Sequence, residues 1–260
     1  MNLVFASGFL LPQHVGKIQY FNGVRKLAED KGHRPPLFHV VEPLGKSEAR
    51  AGKLADAIRG AFKTGRIHII AHSMGGLDSR YLIANNRDLA ARIVSLTTLS
   101  TPFHGSPLAD LVRGDSPGLF SLGLGALSNV LDDSVGRLID IGAVGDLTKA
   151  GAEAGPDVAT THPQIRYRSY AGSGRPGDPR TSDLLLIGHA IIHAHHGPND
   201  GAVAVESAKY GEFQETWACD HLDMVGHDLD DVPQLRPRKF DHISKFDAII
   251  DKLQAEHPGT

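Results

Sequence analysis

Between Arg66 and Gly76 the chain reads Arg66-Ile67-His68-Ile69-Ile70-Ala71-His72-Ser73-Met74-Gly75-Gly76, an apolar strand that enters a helix through a turn of small residues without any linker. A parallel strand feeding a helix this abruptly needs little bulk two residues before and two after the turn, and Ala71 and Gly75 supply that. The residue at the apex, Ser73, is expected in a strained backbone conformation with its Oγ held above the sheet edge. Met74 would then offer its backbone N–H at a helix N-terminus, where unsatisfied donors and the helix dipole favour a developing negative charge. A serine displayed in this way is built to be nucleophilic, although alanine stands where such turns usually carry their first glycine.

The order of apolar runs extends this unit into a fold. Leu3–Ala6, Leu37–Val41, Ile67–Ala71, Ile93–Leu99 and Ile165–Ala171 read as strands that alternate with helical patterns, the signature of a mainly parallel sheet flanked by helices. Between Ser47 and Lys63, Leu54, Ile58 and Phe62 recur every four residues while Lys53, Asp56 and Arg59 point elsewhere, so a helix should pack one face on the sheet. Phe246, Ile249, Ile250 and Leu253 predict a closing helix over Ser244–Leu253. At 260 residues, 41% of them hydrophobic, the whole chain 1–260 is expected to form a single α/β domain. From about Ser116 to Thr161 the alternation breaks into a glycine- and leucine-rich segment, expected to add helices. Most of its leucines suit ordinary core, and one loosened apolar face suits a cover over a pocket for apolar substrates.

Composition excludes several classes. A formal net charge of −3 with no basic stripe leaves no electrostatic footprint for nucleic acid. No apolar run has the length of a membrane span. Cys219 is the only cysteine, so no disulfide forms within the chain. With a strand at Leu3 and no leader pattern before it, these features predict a cytoplasmic protein, a secreted enzyme with its leader trimmed being the alternative.

A serine hydroxyl attacks an ester only if a histidine takes its proton, and a carboxylate usually orients that histidine. In hydrolases with this turn the chain order is nucleophile, acid, histidine. Asp200, in the turn-like Gly197-Pro198-Asn199-Asp200-Gly201, is the candidate acid, with an aspartate that merely shapes its loop as the other reading. Among 15 histidines, His221, His227 and His242 all follow it at workable distances, and the residues alone leave the choice open, with His221 preferred for its place in a short loop. His189, His193, His195 and His196 form a further cluster, His189 and His193 at helical spacing, but without the glutamate that a zinc-peptidase helix carries. These histidines are read as surface or supporting residues beside the Asp200 loop, and a histidine-dependent metalloenzyme as a minor alternative.

Taken together, Ala71-His72-Ser73-Met74-Gly75-Gly76-Leu77, Ser100-Thr101-Pro102-Phe103-His104-Gly105-Ser106, Asn199-Asp200-Gly201 and His221-Leu222-Asp223-Met224-Val225 resemble the bacterial family I lipases of the α/β-hydrolase superfamily, from the first strand to about Asp231. The resemblance implies an α/β-hydrolase fold with a helical lid at about 116–161, a Ser73–Asp200–His221 triad, and hydrolysis of carboxylic esters, including acylglycerols. It also implies transient contact with lipid through the lid, while the sequence requires no partner protein. Two backbone amides, Phe9 and Met74, correspond to the oxyanion hole, although Ser7-Gly8-Phe9 replaces the His-Gly-apolar turn of the family. A structural calcium is implied as well, held by Asp178 and Asp223 and by the backbone carbonyls of His227 and Asp231. Calcium suits such a site because it accepts several oxygen ligands in a flexible shell. A non-catalytic binding protein for apolar ligands, and an acyltransferase or thioesterase using the same three residues, are the alternatives.

Overall fold

The computed structural model describes residues 1–8, 14–15, 18–33, 35–39, 45–113, 141–174, 185–226 and 240–258. In chain order these form β1 (Asn2–Ala6), β2 (His14–Val15), β3 (Ile18–Gln19), α1 (Val24–Asp30), β4 (Leu37–His39), α2 (Ser47–Ala61), β5 (Ile67–His72), α3 (Met74–Asn85), α4 (Arg87–Ala90), β6 (Ile93–Leu99) and α5 (Pro107–Arg113). The later elements are α6 (Ile141–Leu147), α7 (Lys149–Glu153), α8 (Val158–Thr161), β7 (Arg166–Gly172), α9 (Leu186–His196), α10 (Val205–Ala208), β8 (Glu212–Trp217), a single 3-10 turn (Asp223–Val225) and α11 (His242–Glu256). Among them no helix is long and apolar enough to cross a membrane.

Six strands make one sheet in the order β4-β1-β5-β6-β7-β8, every pairing parallel. This is the α/β-hydrolase fold. A parallel sheet needs cover on both faces, and the side-chain alternation of its strands divides the core accordingly. Val4, Ala6, Ile67, Ile69 and Ala71 pack with Leu54 and Ile58 of α2 and Leu82 and Ile83 of α3. Leu3, Phe5 and Ile70 face the other way, onto Val24 and Ala28 of α1 and Phe246, Ile249, Ile250 and Leu253 of α11. Asp241 caps α11, its carboxylate accepting from the Ser244 amide at 3.0 Å.

From β1 the chain goes to β4 on one side and then to β5 on the other, so the carboxyl ends of β1 and β5 border the crevice where connections run in opposite directions. Open α/β sheets bind ligands at this switch point. Gly8 and Ser73 both lie there.

The five strands and two helices expected from the sequence are present with boundaries shifted by a few residues, β4 being described only as Leu37–His39 and β7 running Arg166–Gly172. β8 was not expected. Its sequence, Glu-Phe-Gln-Glu-Thr-Trp, is that of a partly exposed edge strand and contains no apolar run. Of the segment 116–161, residues 116–140 lie outside the described ones. Its remainder forms three short helices: Ala143 and Val144 of α6 pack on Met74 at the start of α3, whereas Val158 of α8 joins the main core.

Candidate active site

Ser73 sits at φ 55°, ψ −133°, a backbone conformation that costs a non-glycine residue about 1–3 kcal/mol and persists only where surroundings enforce it. Its amide donates to the Leu99 carbonyl at 2.9 Å, and its carbonyl accepts from the Thr101 hydroxyl at 2.8 Å and the Gly76 amide at 3.1 Å. Close packing dictates the glycines beside it. A Cβ on Gly75 would stand 2.5 Å from the Ala6 carbonyl oxygen and 2.6 Å from that of Ser7, and one on Gly76 would overlap the Thr101 side chain. Across the crevice, a Cβ on Gly8 would lie 2.5 Å from the Ser73 Cβ and 3.0 Å from its Oγ, so the chain leaving β1 runs directly against the serine.

Asp200 is fully buried. Its Oδ1 accepts from the amides of Ala202 (3.0 Å) and Val203 (2.7 Å), and its Oδ2 pairs with His221 Nδ1 at 2.7 Å. The same carboxylate therefore shapes its own turn and holds the imidazole. The loop is fixed further by Asn199, whose Oδ1 accepts from the Gly201 amide at 2.9 Å, while Gly201 adopts φ +91°. The His221 amide closes the arrangement by donating to the Asp200 carbonyl at 2.9 Å.

Burial alone would raise the Asp200 pKa, but the His221 charge and hydrogen bond, joined by the Ser100 hydroxyl and the Ala202 amide, hold it below the ordinary carboxylate value. For His221 burial pulls downward, and the charge and hydrogen bond of Asp200, with the charge of Asp220, outweigh it and raise the pKa. The result is an ionised carboxylate beside a histidine of increased basicity, the arrangement general-base chemistry requires. The His221 ring packs 4.4 Å from the ring of His72, the residue preceding Ser73. Met74 is the first residue of α3. The Asp200–His221 pair thus packs on the residue that precedes Ser73.

The other candidate histidines differ. His242 at the start of α11 bonds through Nε2 to the Asn22 carbonyl at 2.7 Å. On α9, His189 is buried, its Nε2 bonded to the Gly174 carbonyl at 3.0 Å, and its ring stacks on His193 at 5.7 Å. Among the described residues no three His, Cys, Asp or Glu side chains are grouped to hold a metal ion. Asp223 begins the 3-10 turn two residues past His221. Phe9, Asp178, His227 and Asp231 lie outside the described residues.

Two buried networks were not anticipated from the sequence. Arg50 of α2 bonds both carboxylate oxygens of Asp78 on α3 through Nε, at 3.1 and 2.9 Å, and reaches the Gly8 carbonyl through Nη2 at 3.3 Å. Burial pushes the Asp78 pKa up to about 6 against the pull of Arg50. On the opposite sheet face the Tyr20 hydroxyl lies 2.5 Å from His72 Nδ1 and accepts from the Gly8 amide at 2.9 Å. A signal for the first did exist: Arg50 precedes Leu54 and Ile58 at the same four-residue spacing, a charge on the apolar stripe.

No protein-family profile matches the chain. Triacylglycerol lipase 2 of Saccharomyces cerevisiae is 34% identical over 218 residues, 80% of this chain and 63% of that protein. In sequence the chain is thus similar to triacylglycerol lipases. A triacylglycerol lipase of Pseudarthrobacter phenanthrenivorans is 32% identical over 217 residues, covering 62% of this chain and 66% of the relative. The chain spans slightly less than two thirds of the length of those relatives. Among solved structures, the metagenomic carboxyl esterase MGS0156 superposes with a TM-score of 0.73 at 17% identity, over 99% of this chain and 76% of that one, a likeness of fold.

Proposed function

We propose that this α/β-hydrolase is a carboxylic ester hydrolase of the family I lipase type, working through Ser73, His221 and Asp200. The observation that carries the reading is the 2.7 Å pair of His221 with the buried Asp200, its imidazole packed on His72, the residue before a serine held at φ 55° on a strand–helix turn. Ser73 Oγ attacks the ester carbonyl and forms the C–O bond while His221 Nε2 takes the hydroxyl proton. Asp200 holds the imidazole by Nδ1 and stabilises its positive charge. The oxyanion is received by the Met74 and Phe9 amides. As the tetrahedral intermediate collapses, His221 returns the proton to the leaving alcohol, and the acyl-enzyme is hydrolysed by water through the same steps.

Acylglycerols are the substrates proposed, reached at a lipid interface beneath a lid formed by part of residues 116–161, in a role in lipid degradation. Thioester cleavage and acyl transfer to an alcohol use the same groups. A calcium ion is proposed to bind Asp178, Asp223 and the carbonyls of His227 and Asp231, where it would secure the loop after His221 from behind. Chelation should then lower melting temperature and activity together, and added calcium should restore both; a melting curve indifferent to both treatments removes the ion from the account.

The decisive test pairs Ser73→Ala with fluorophosphonate labelling and hydrolysis of p-nitrophenyl esters and emulsified triglyceride. Turnover should fall about a millionfold and labelling should vanish. Normal hydrolysis by the alanine variant refutes the reading, and an unreactive native protein favours a hydrolase-fold binding protein for apolar ligands.

A further inference from the structure

We propose that Tyr20 is a positioning residue for Gly8, its hydroxyl tying the Gly8 amide to His72 and so fixing the chain that faces Ser73 just before the proposed oxyanion donor Phe9. The inference rests on the ester-hydrolase reading above and adds a residue to it. Gly8 is the last described residue before the loop that carries the Phe9 amide. Both of its backbone polar groups are held by side chains, the carbonyl by Arg50 from one sheet face and the amide by Tyr20 from the other. Neither tie could be replaced by packing a side chain at position 8, because a Cβ there would meet the Ser73 Cβ at 2.5 Å and the Tyr20 hydroxyl at 3.0 Å. Gly8 is therefore held against the serine by hydrogen bonds.

One bond has a fixed direction. The Gly8 N–H donates, so the Tyr20 oxygen accepts there, and the same hydroxyl pairs with His72 Nδ1 in the direction that the imidazole tautomer sets. Burial, opposed only in part by the Gly8 bond, pushes the phenol well above its ordinary pKa, and it keeps its hydrogen through the range in which esters are assayed. The ring cannot wander, since it packs edge-on against Phe21 at 5.0 Å within the core beneath α1 and α11. At the other end of the chain of bonds, His72 is continuous with the serine turn and lies 4.4 Å from the His221 ring. One hydroxyl thus joins Gly8 to the Ser73 turn and to the ring that packs on His221.

Displacing an oxyanion donor by about 1 Å can cost on the order of a hundredfold in rate. Tyr20→Phe removes both bonds at nearly constant volume. With a short-chain p-nitrophenyl ester, kcat should fall roughly ten- to a hundredfold while KM stays near its native value, because the loop acts on the charge that develops in the transition state. The inhibition constant of an aryl trifluoromethyl ketone, which forms an anionic adduct with serine, should weaken by the same factor as kcat/KM. A second pair of variants guards against misfolding: His72→Asn keeps a hydrogen-bonding partner for the Tyr20 hydroxyl and should retain more of kcat than His72→Leu, which should behave like Tyr20→Phe. Full kcat and full ketone affinity in Tyr20→Phe, or losses that only follow the unfolded fraction, overturn the proposal while leaving the ester-hydrolase reading intact. A native protein that neither hydrolyses esters nor reacts with a fluorophosphonate overturns both.

Discussion

The two ends of β5 each bury an imidazole, and they treat it in opposite ways. Near the amino end, His68 is fully buried, its Nδ1 bonded to the Ser95 hydroxyl at 2.8 Å. Burial, reinforced by positive charge from His257, the N-terminus, Arg168 and His33, lowers its pKa to about 4. At the carboxyl end, beside His72, His221 feels the same burial but faces Asp200 and Asp220, and its pKa is raised. Desolvation has one sign for every histidine, so the sign of the neighbouring charge decides between a neutral core residue and a base. The segments after strands β7 and β8 bring Asp200 and Asp220 to one end of the sheet only.

The strongest way to break this contrast is Asp200→Asn, which keeps the volume and removes the charge. Turnover on esters should drop about ten-thousandfold, as when a triad histidine loses its orienting carboxylate. The acid limb of kcat/KM, which follows deprotonation of His221 in the free enzyme, should also move to lower pH. A variant within about tenfold of the native rate would mean that another group orients His221.

At the other end the test is thermodynamic. His68 has a folded pKa of about 4 against 6.5 for the free side chain, so the unfolded chain takes up its proton first. Stability is full above pH 6.5, is lost as pH falls toward 4, and then levels off, by about 3 kcal/mol in all. His221 has the opposite sign: its contribution is present below pH 6.5 and disappears as pH rises through its folded pKa. Urea unfolding of His68→Asn at pH 7 and pH 4 should show a shallower loss than the native protein by roughly that amount. Equal losses in the two proteins would show that His68 is not the group resisting protonation.

Legibility in the sequence obeys the same physical division. β5 was readable because burial on both faces fills it with Ile67, Ile69, Ile70 and Ala71, and the serine turn because sterics restrict residues on both sides of it to a narrow set. β8 was not, since an edge strand half exposed to water has no obligation to look apolar. Asp200 and His221 are 21 residues apart and could be paired only with the help of the family resemblance, the residues themselves leaving three histidines in contention. Tyr20 and His72 are 52 residues apart, and nothing local in either marks the other. Strand alternation does place His68, Ile70 and His72 on one face, but which charges await them at the two ends depends on loops that only the fold brings in.

The finest distinction separates the two carboxylates at His221. Asp220 acts on the imidazole through its charge, whereas Asp200 adds a hydrogen bond. Asp220 also accepts from the amides of Leu222 and Asp223, each at 2.8 Å through Oδ1, and so shapes the turn that carries the histidine. Asp220→Asn retains an oxygen for those two amides and removes the charge. The acid limb of kcat/KM should then shift to lower pH in the same direction as for Asp200→Asn but by less, with the rate on the plateau far better preserved. Because a raised histidine pKa stabilises the fold only below the unfolded value, the variant should lose stability at pH 5 and little at pH 9. An acid limb that stays in place, or moves upward, would assign the raised basicity of His221 to Asp200 alone and reduce Asp220 to a turn-forming residue.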